Sequence, residues 1–260
     1  MAIYMTFNRY MDNPSAGTST FTNRGMYKAM YKDKFDKLLV REQGRIAFKI
    51  YRTQNSTDTY YIVFKIPSES MSEFYYDVVV ELSAHKNEYK NSPNLRMYDV
   101  RFYSNDQAFI YAFAYAFNKH GLFIPLLRSK MSKVALEQKS LSRNPRADIW
   151  YVKSLCFAFF VMERYNLFSR SMLNQNAVKF NQSDLFKNVS HSDTKLEEYN
   201  KKKKDIKLRK QAEKNMLRSS SRASNIRKSS NIDSNIRYIQ NTKTVKYTGK
   251  ISHTSRTKRI

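Results

Sequence analysis

The chain has 260 residues, room for one domain of ordinary size plus extensions, and carries 47 Lys and Arg against 22 Asp and Glu for a net charge of +25. Its single cysteine, Cys156, excludes an internal disulfide scaffold, and its five glycines, scattered at 17, 25, 44, 121 and 249, exclude a phosphate-binding glycine loop. No basic region followed by an apolar stretch opens the sequence, and the longest apolar run, Ala108 to Phe117, is about half the ~20 residues of a membrane span. The expectation is a protein that is not secreted and has no membrane partner, located in a virion or a host cytoplasm.

Residues 1–22 are polar and rich in small side chains, above all Asp12 to Thr20, and read as an extended N-terminal arm. Residues 23–43 read as a helix, because Met26, Met30 and Leu38 with Tyr27, Tyr31 and Phe35 recur at spacings of three and four, and Gly44 stops it. Four segments of two-residue alternation follow. Ile46, Phe48 and Ile50 point one way in the first, then Ile62, Phe64 and Ile66, then Tyr76, Val78, Val80 and Leu82, then Tyr98, Val100 and Phe102. Turn-like connections such as Gln54 to Asp58 favour antiparallel pairing, so the segments predict a four-stranded antiparallel sheet with one buried face.

Ser104-Asn105-Asp106 then forms an N-cap cluster ahead of a buried helix from Gln107 to Lys119, which His120-Gly121 ends. A short helix is expected over 131–138. Asn144 as cap and Pro145 at the first position predict a second apolar helix running to about Tyr165. The fold class that results is α+β: a four-stranded antiparallel sheet packed against apolar helices, as one globular domain over 23–168. Residues 169–198 lose clear periodicity and read as a polar linker.

The last segment, 199–260, holds 19 Lys and Arg against 3 Asp and Glu, a net charge of +16. Residues 194–218 have high helix propensity without a continuous apolar stripe, which predicts a marginal, mostly solvated helix. Beyond Ser219, Ser224 to Arg227, Ser230 to Asp233 and Ser234 to Arg237 repeat a Ser-Asn-Ile pattern at uneven spacing, unlike a solenoid. A segment this basic with little to bury is suited to holding a polyanion, and few apolar residues are present to enter a bilayer. The candidate nucleic-acid-binding residues are Lys201, Lys202, Lys203, Lys204, Lys207, Arg209, Lys210, Lys214, Arg218, Arg222, Arg227, Lys228 and Arg237.

Other chemistry is sparse. His85, His120, His191 and His253 lie far apart, with no cysteine pair or carboxylate cluster at metal spacing, so no metal, cofactor or small-molecule substrate is expected. Cys156 sits in the apolar run Leu155 to Phe160 and reads as a buried side chain. Asp77, Glu81 and Asp99 cluster on the outward side of the predicted sheet among Lys49, Lys65 and Arg101, which reads as cross-strand ion pairing rather than an active site. Tyr51, Tyr61, Tyr75 and Tyr103 share that side. They could stack bases, but the more economical reading is a face covered by a helix, by the N-terminal arm or by a neighbouring subunit.

The segments Tyr98 to Asp106, Asn118 to Leu122 and Asn144-Pro145 through Val152 to Leu155 resemble uncharacterised proteins of AT-rich tailed bacteriophages, over residues 45–168. That resemblance implies a phage-encoded, virion-associated protein and supplies no catalytic residues. The combined expectation is a non-enzymatic structural component of a virion or similar nucleoprotein assembly. Its tail would contact nucleic acid and its body would contact neighbouring protein subunits. The alternative is a free, non-specific nucleic-acid-binding accessory protein in phage replication, transcription or host takeover.

Overall fold

The computed structural model describes residues 5–13, 22–53, 58–84, 90–150 and 152–240, with side chains described as far as Arg218. The chain divides into two compact units, Met1–Lys201 and Lys202–Ile260. The first is an α+β body built on a mixed five-stranded sheet.

Four of the strands are those the alternation predicts: β1 (Phe48–Thr53), β2 (Thr59–Pro67), β3 (Tyr75–Ser83) and β4 (Asp99–Ser104). They pair antiparallel in sequence order, with Phe48 opposite Phe64, Phe64 opposite Val78 and Val80 opposite Phe102. The sheet is not purely antiparallel, however. A two-residue strand β5 (Val178–Lys179) joins the β1 edge in parallel, so the order is β4-β3-β2-β1-β5. Its source is the stretch expected to be a linker.

Helix α2 (Asn23–Arg41) starts at Thr22, whose hydroxyl accepts from the Gly25 amide at 3.3 Å, and is followed by Gly44 at φ +76°. Helix α5 (Lys153–Arg164) buries every residue from Ser154 to Met162. A helix apolar all round needs neighbours all round. On one side Phe159 lies 5.7 Å from Phe102 of β4, and on another Phe160 and Phe157 lie 5.0 and 5.7 Å from Phe35 of α2.

The expected extended arm contributes a third neighbour. Residues 7–11 form α1 (Phe7–Met11), capped by the Thr6 hydroxyl, and bury Phe7, Tyr10 and Met11. Phe7 meets Phe159 edge-on at 5.1 Å, and the Tyr10 hydroxyl donates to the Trp150 carbonyl at 2.9 Å. Ahead of α1, the Met5 carbonyl accepts from the Val100 amide at 2.9 Å and Thr6 bridges to Asp99; the rest of the expected arm, apart from Thr22, lies outside the described residues or in the turn that follows α1.

Two further elements depart from the sequence reading. The helix after Asp106 opens with a π-helical segment, Phe109–Phe113, before α3 (Ala114–Lys119). The turn widens by one residue there, which leaves Tyr111 exposed within an otherwise buried run. Gly121, at φ +70°, ends α3 as expected. A 3₁₀ segment (Pro125–Lys130) and α4 (Lys133–Glu137) follow. Asn144 does not cap a helix. Its side chain accepts from the Asp148 amide and donates to the Asp148 carbonyl, closing a turn with Ala147 at φ 56°, and α5 begins only at Lys153.

Residues 169–198 are not a linker. They form α6 (Arg170–Asn176), β5, α7 (Gln182–Asn188) and the first turns of α8 (Ser192–Gln240), with Leu173, Leu185 and Val189 fully buried. Segment 180–190 lies over the sheet side that alternation assigns to solvent, so both sheet faces are buried. Phe180 packs on Tyr61 at 5.1 Å, Lys49 pairs with Asp184 at 2.6 Å, and Asn188 donates to the Tyr51 hydroxyl at 2.9 Å.

Candidate nucleic-acid interface

The predicted basic residues fall on α8. Its first turns belong to the body: the Ser192 hydroxyl accepts from the Ser132 amide at 2.8 Å, Lys195 Nζ sits 4.7 Å over the Phe74 ring, and Tyr199 meets the same ring edge-on at 5.8 Å. Lys201 is the last residue of that unit. From there the sequence is rich in Lys, Arg, Glu, Gln and Leu, which lose little rotamer freedom in a helix.

Helical spacing sorts the cations. Lys203, Lys207, Lys210, Lys214 and Arg218 recur at intervals of four, three, four and four, so they fall within an arc of about 80° and span about 22 Å at 1.5 Å per residue. Asp205 lies opposite this stripe, and Glu213 lies beyond its edge. All five stripe residues are exposed. Of the remaining candidates, Lys201, Lys204 and Arg209 are exposed off the stripe and Lys202 is half-buried. Arg222, Arg227, Lys228 and Arg237 lie within the bounds of α8. Residues 241–260 lie outside the described residues.

The competing platform on the sheet is closed. Tyr51 and Tyr103 have no exposed surface, Tyr61 is half-buried against Phe180, and Tyr75, the first residue of β3, is exposed. Burial raises the Tyr103 phenol well above its usual range, with the Asp77 charge adding to the effect, and its hydroxyl reaches the carbonyls of Lys130 and Ser190 at 3.1 and 3.0 Å. No base could stack there without displacing 180–190.

Two of the three carboxylates on that face, Asp77 and Glu81, are ion-paired across strands. Lys65 and Asp77 are directly opposed in register and meet at 2.6 Å; Arg101 and Glu81 are likewise opposed and meet at 3.0 Å. Asp77 also accepts from Asn105 Nδ2 at 3.0 Å and from the Ser190 amide at 2.8 Å. Burial pushes the Glu81 carboxyl above its ordinary range despite the opposing pull of Arg101.

Among the described residues no group of three His, Cys, Asp or Glu is placed to hold a metal ion, and no helix is long and apolar enough to cross a membrane. Cys156 is sealed, and burial raises its thiol well above the usual range, away from a reactive thiolate. His120 is the C-cap of α3, and His191 lies 3.7 Å from Asp193 at the start of α8.

Charge was the sequence signal for these residues. The i, i+4, i+7 spacing of the stripe was also present there and would have singled out its five members. No protein-family model, curated protein or solved structure matches the chain.

Proposed function

We propose that this chain is a non-enzymatic component of a bacteriophage particle or similar nucleoprotein assembly, and that it contacts nucleic acid through α8. The observation that carries the nucleic-acid part is the exposed stripe of Lys203, Lys207, Lys210, Lys214 and Arg218, with Asp205 on the opposite side of the helix. A line of cations at helical spacing neutralises a phosphate backbone without reading its sequence, since base contacts rather than phosphate contacts specify. The assembly part rests on the resemblance of residues 45–168 to phage proteins.

Full-length protein should bind DNA and RNA with little sequence preference and with affinity that falls steeply as salt rises. Replacing the five stripe residues with Gln should weaken binding to every sequence alike and flatten the salt slope, by up to ~0.9 for each phosphate no longer neutralised. The same number of Gln substitutions at Lys201, Lys202, Lys204, Arg209 and Arg222 should flatten it less. Equal effects from the two sets would show that charge matters and the stripe does not. Mass spectrometry of purified particles tests the assembly, and absence of the chain from them would favour the free accessory protein.

A further inference from the structure

A cavity of about 220 Å³ opens in the body between the β2–β3 connection, the start of the π-helical segment and the first turns of α8. It is smaller than the ~300–1,000 Å³ of sites for drug-sized molecules, so it fits one ring system. Its apolar wall includes Ile66 and Phe157, and the half-buried rings of Tyr76 and Tyr199 also line it.

The polar groups of this cavity are unevenly satisfied. Asp106 is 7% exposed. Its Oδ1 accepts from the Ala108 amide at 2.6 Å, while Oδ2 accepts from no group among the described residues. Oδ2 is not sealed off: Asp106 lines the cavity, and this oxygen can accept from a ligand N–H placed there. Tyr76 and Asp106 line the same cavity; burial first and the Asp106 charge second raise the Tyr76 phenol, against a hydrogen bond with Ser68, and keep it neutral. At the rim Lys153 is paired with Glu69 at 3.1 Å, whereas the exposed Arg143 guanidinium bonds to nothing among the described residues. An unpaired cation at the mouth disfavours an ammonium or guanidinium ligand, although aromatic walls and a carboxylate alone would suit one.

We infer that this cavity takes a nucleobase from a single strand, with guanine preferred, its donor edge on Asp106, its ring against Tyr76 or Tyr199 and its phosphate near Arg143. Guanine alone carries two adjacent N–H donors, N1 and N2, on its pairing edge. Adenine and cytosine place an acceptor beside their one amino group, which a carboxylate repels, and uracil flanks its single N–H with carbonyls. In a duplex that edge is hidden, so the strand is single. The choice of a base over another ring rests on the nucleic-acid reading of α8; the cavity chemistry does not.

The test uses the full chain and guanosine 5′-monophosphate, with uridine and adenosine monophosphates as comparators, in a calorimetric titration at two salt concentrations. Guanosine monophosphate should bind at least ~10-fold tighter than uridine monophosphate, the scale expected when a site's hydrogen-bond acceptor goes unmet. That ratio should not change with salt. Asp106→Asn keeps an oxygen for the Ala108 amide, and Asn is as good a cap, so its melting temperature should hold while the guanine preference collapses. Tyr199→Ala should weaken all three nucleotides alike. Equal affinities, no binding, or a preference that survives Asp106→Asn would each overturn the inference. Failure of the α8 reading registers differently, as a flat salt slope on DNA and RNA with the nucleotide ratios intact.

Discussion

The two faces of the sheet are buried by different means. One is covered by α5 and α1, whose Phe7, Phe157, Phe159 and Phe160 meet other rings at 4.6–6.3 Å. The other is covered by 180–190 through Lys49–Asp184, Asn188–Tyr51, the Lys65 and Asp77 contacts with Asn188 and Ser190, and a few apolar anchors such as Leu185 and Val189. Alternation along a strand distinguishes an apolar face from a polar one. It does not distinguish a polar face in water from one whose polar groups are matched by another segment of the chain.

The largest expected effect is on the aromatic face. Phe159→Asp puts a carboxylate among Phe7, Tyr10, Tyr27 and Phe102 and should unfold the body, since an unpaired buried charge costs several kcal/mol against a typical domain stability of ~5–15 kcal/mol. Loss of the thermal transition is the readout; an unchanged melt would mean that α5 is not the centre of the core.

A smaller loss is expected on the polar face. Asp77→Ala strips a partner from Lys65, Asn105 and the Ser190 amide, and should cost about 2–3 kcal/mol, because Lys65 can still turn toward water. It should also loosen 184–192, so that trypsin cuts at Lys187 before the body unfolds. Wild-type protein should instead yield a resistant fragment ending among Lys201 to Lys204. Identical digestion patterns would show that Leu185 and Val189 hold the segment without the polar network.

The smallest effect is on pH dependence. The folded-state pKa of Glu81 is raised, so the native state holds its proton more tightly than the unfolded chain does. Glu81 therefore contributes stability that is present below the ordinary glutamate range and lost as pH rises above it. Asp184, lowered by its hydrogen bond from Lys49, acts with the opposite sign: its contribution is present above the ordinary aspartate range and lost as pH falls below it. Glu81→Gln should flatten stability against pH above the glutamate range and leave the acid limb intact. A slope unchanged by the substitution would assign the dependence to another group.

Long elements were legible in the sequence because they repeat their signal. Helix α2, the four antiparallel strands in order and the Gly44 and Gly121 stops all stand where spacing puts them. What escaped notice was short. Phe7, Tyr10 and Met11 follow the Thr6 cap at helical spacing, but one turn is too little periodicity to stand out from a polar stretch. Segment 169–190 buries single residues from each short element, Leu173, Leu185 and Val189, and its strand pairs only two residues. Asn144-Pro145 carried a helix-start signature, yet the Asn144 side chain bonds to Asp148 in a turn instead. The cations of α8 could be read as charge, whereas the cavity at Asp106 could not, because Ile66, Tyr76, Asp106, Arg143 and Tyr199 come together only in the folded chain.

The sealed Cys156 makes the chain its own clock for opening events. A thiol reagent in solution meets the one thiol of the sequence only when α5 leaves its neighbours, so the labelling rate of the unmodified protein measures how often that happens. When reclosing outpaces labelling, the ratio of that rate to the rate of a free thiol gives the opening equilibrium directly. The aromatic face can then be monitored with other proteins present, where neither melting nor spectroscopy would isolate this chain from the rest.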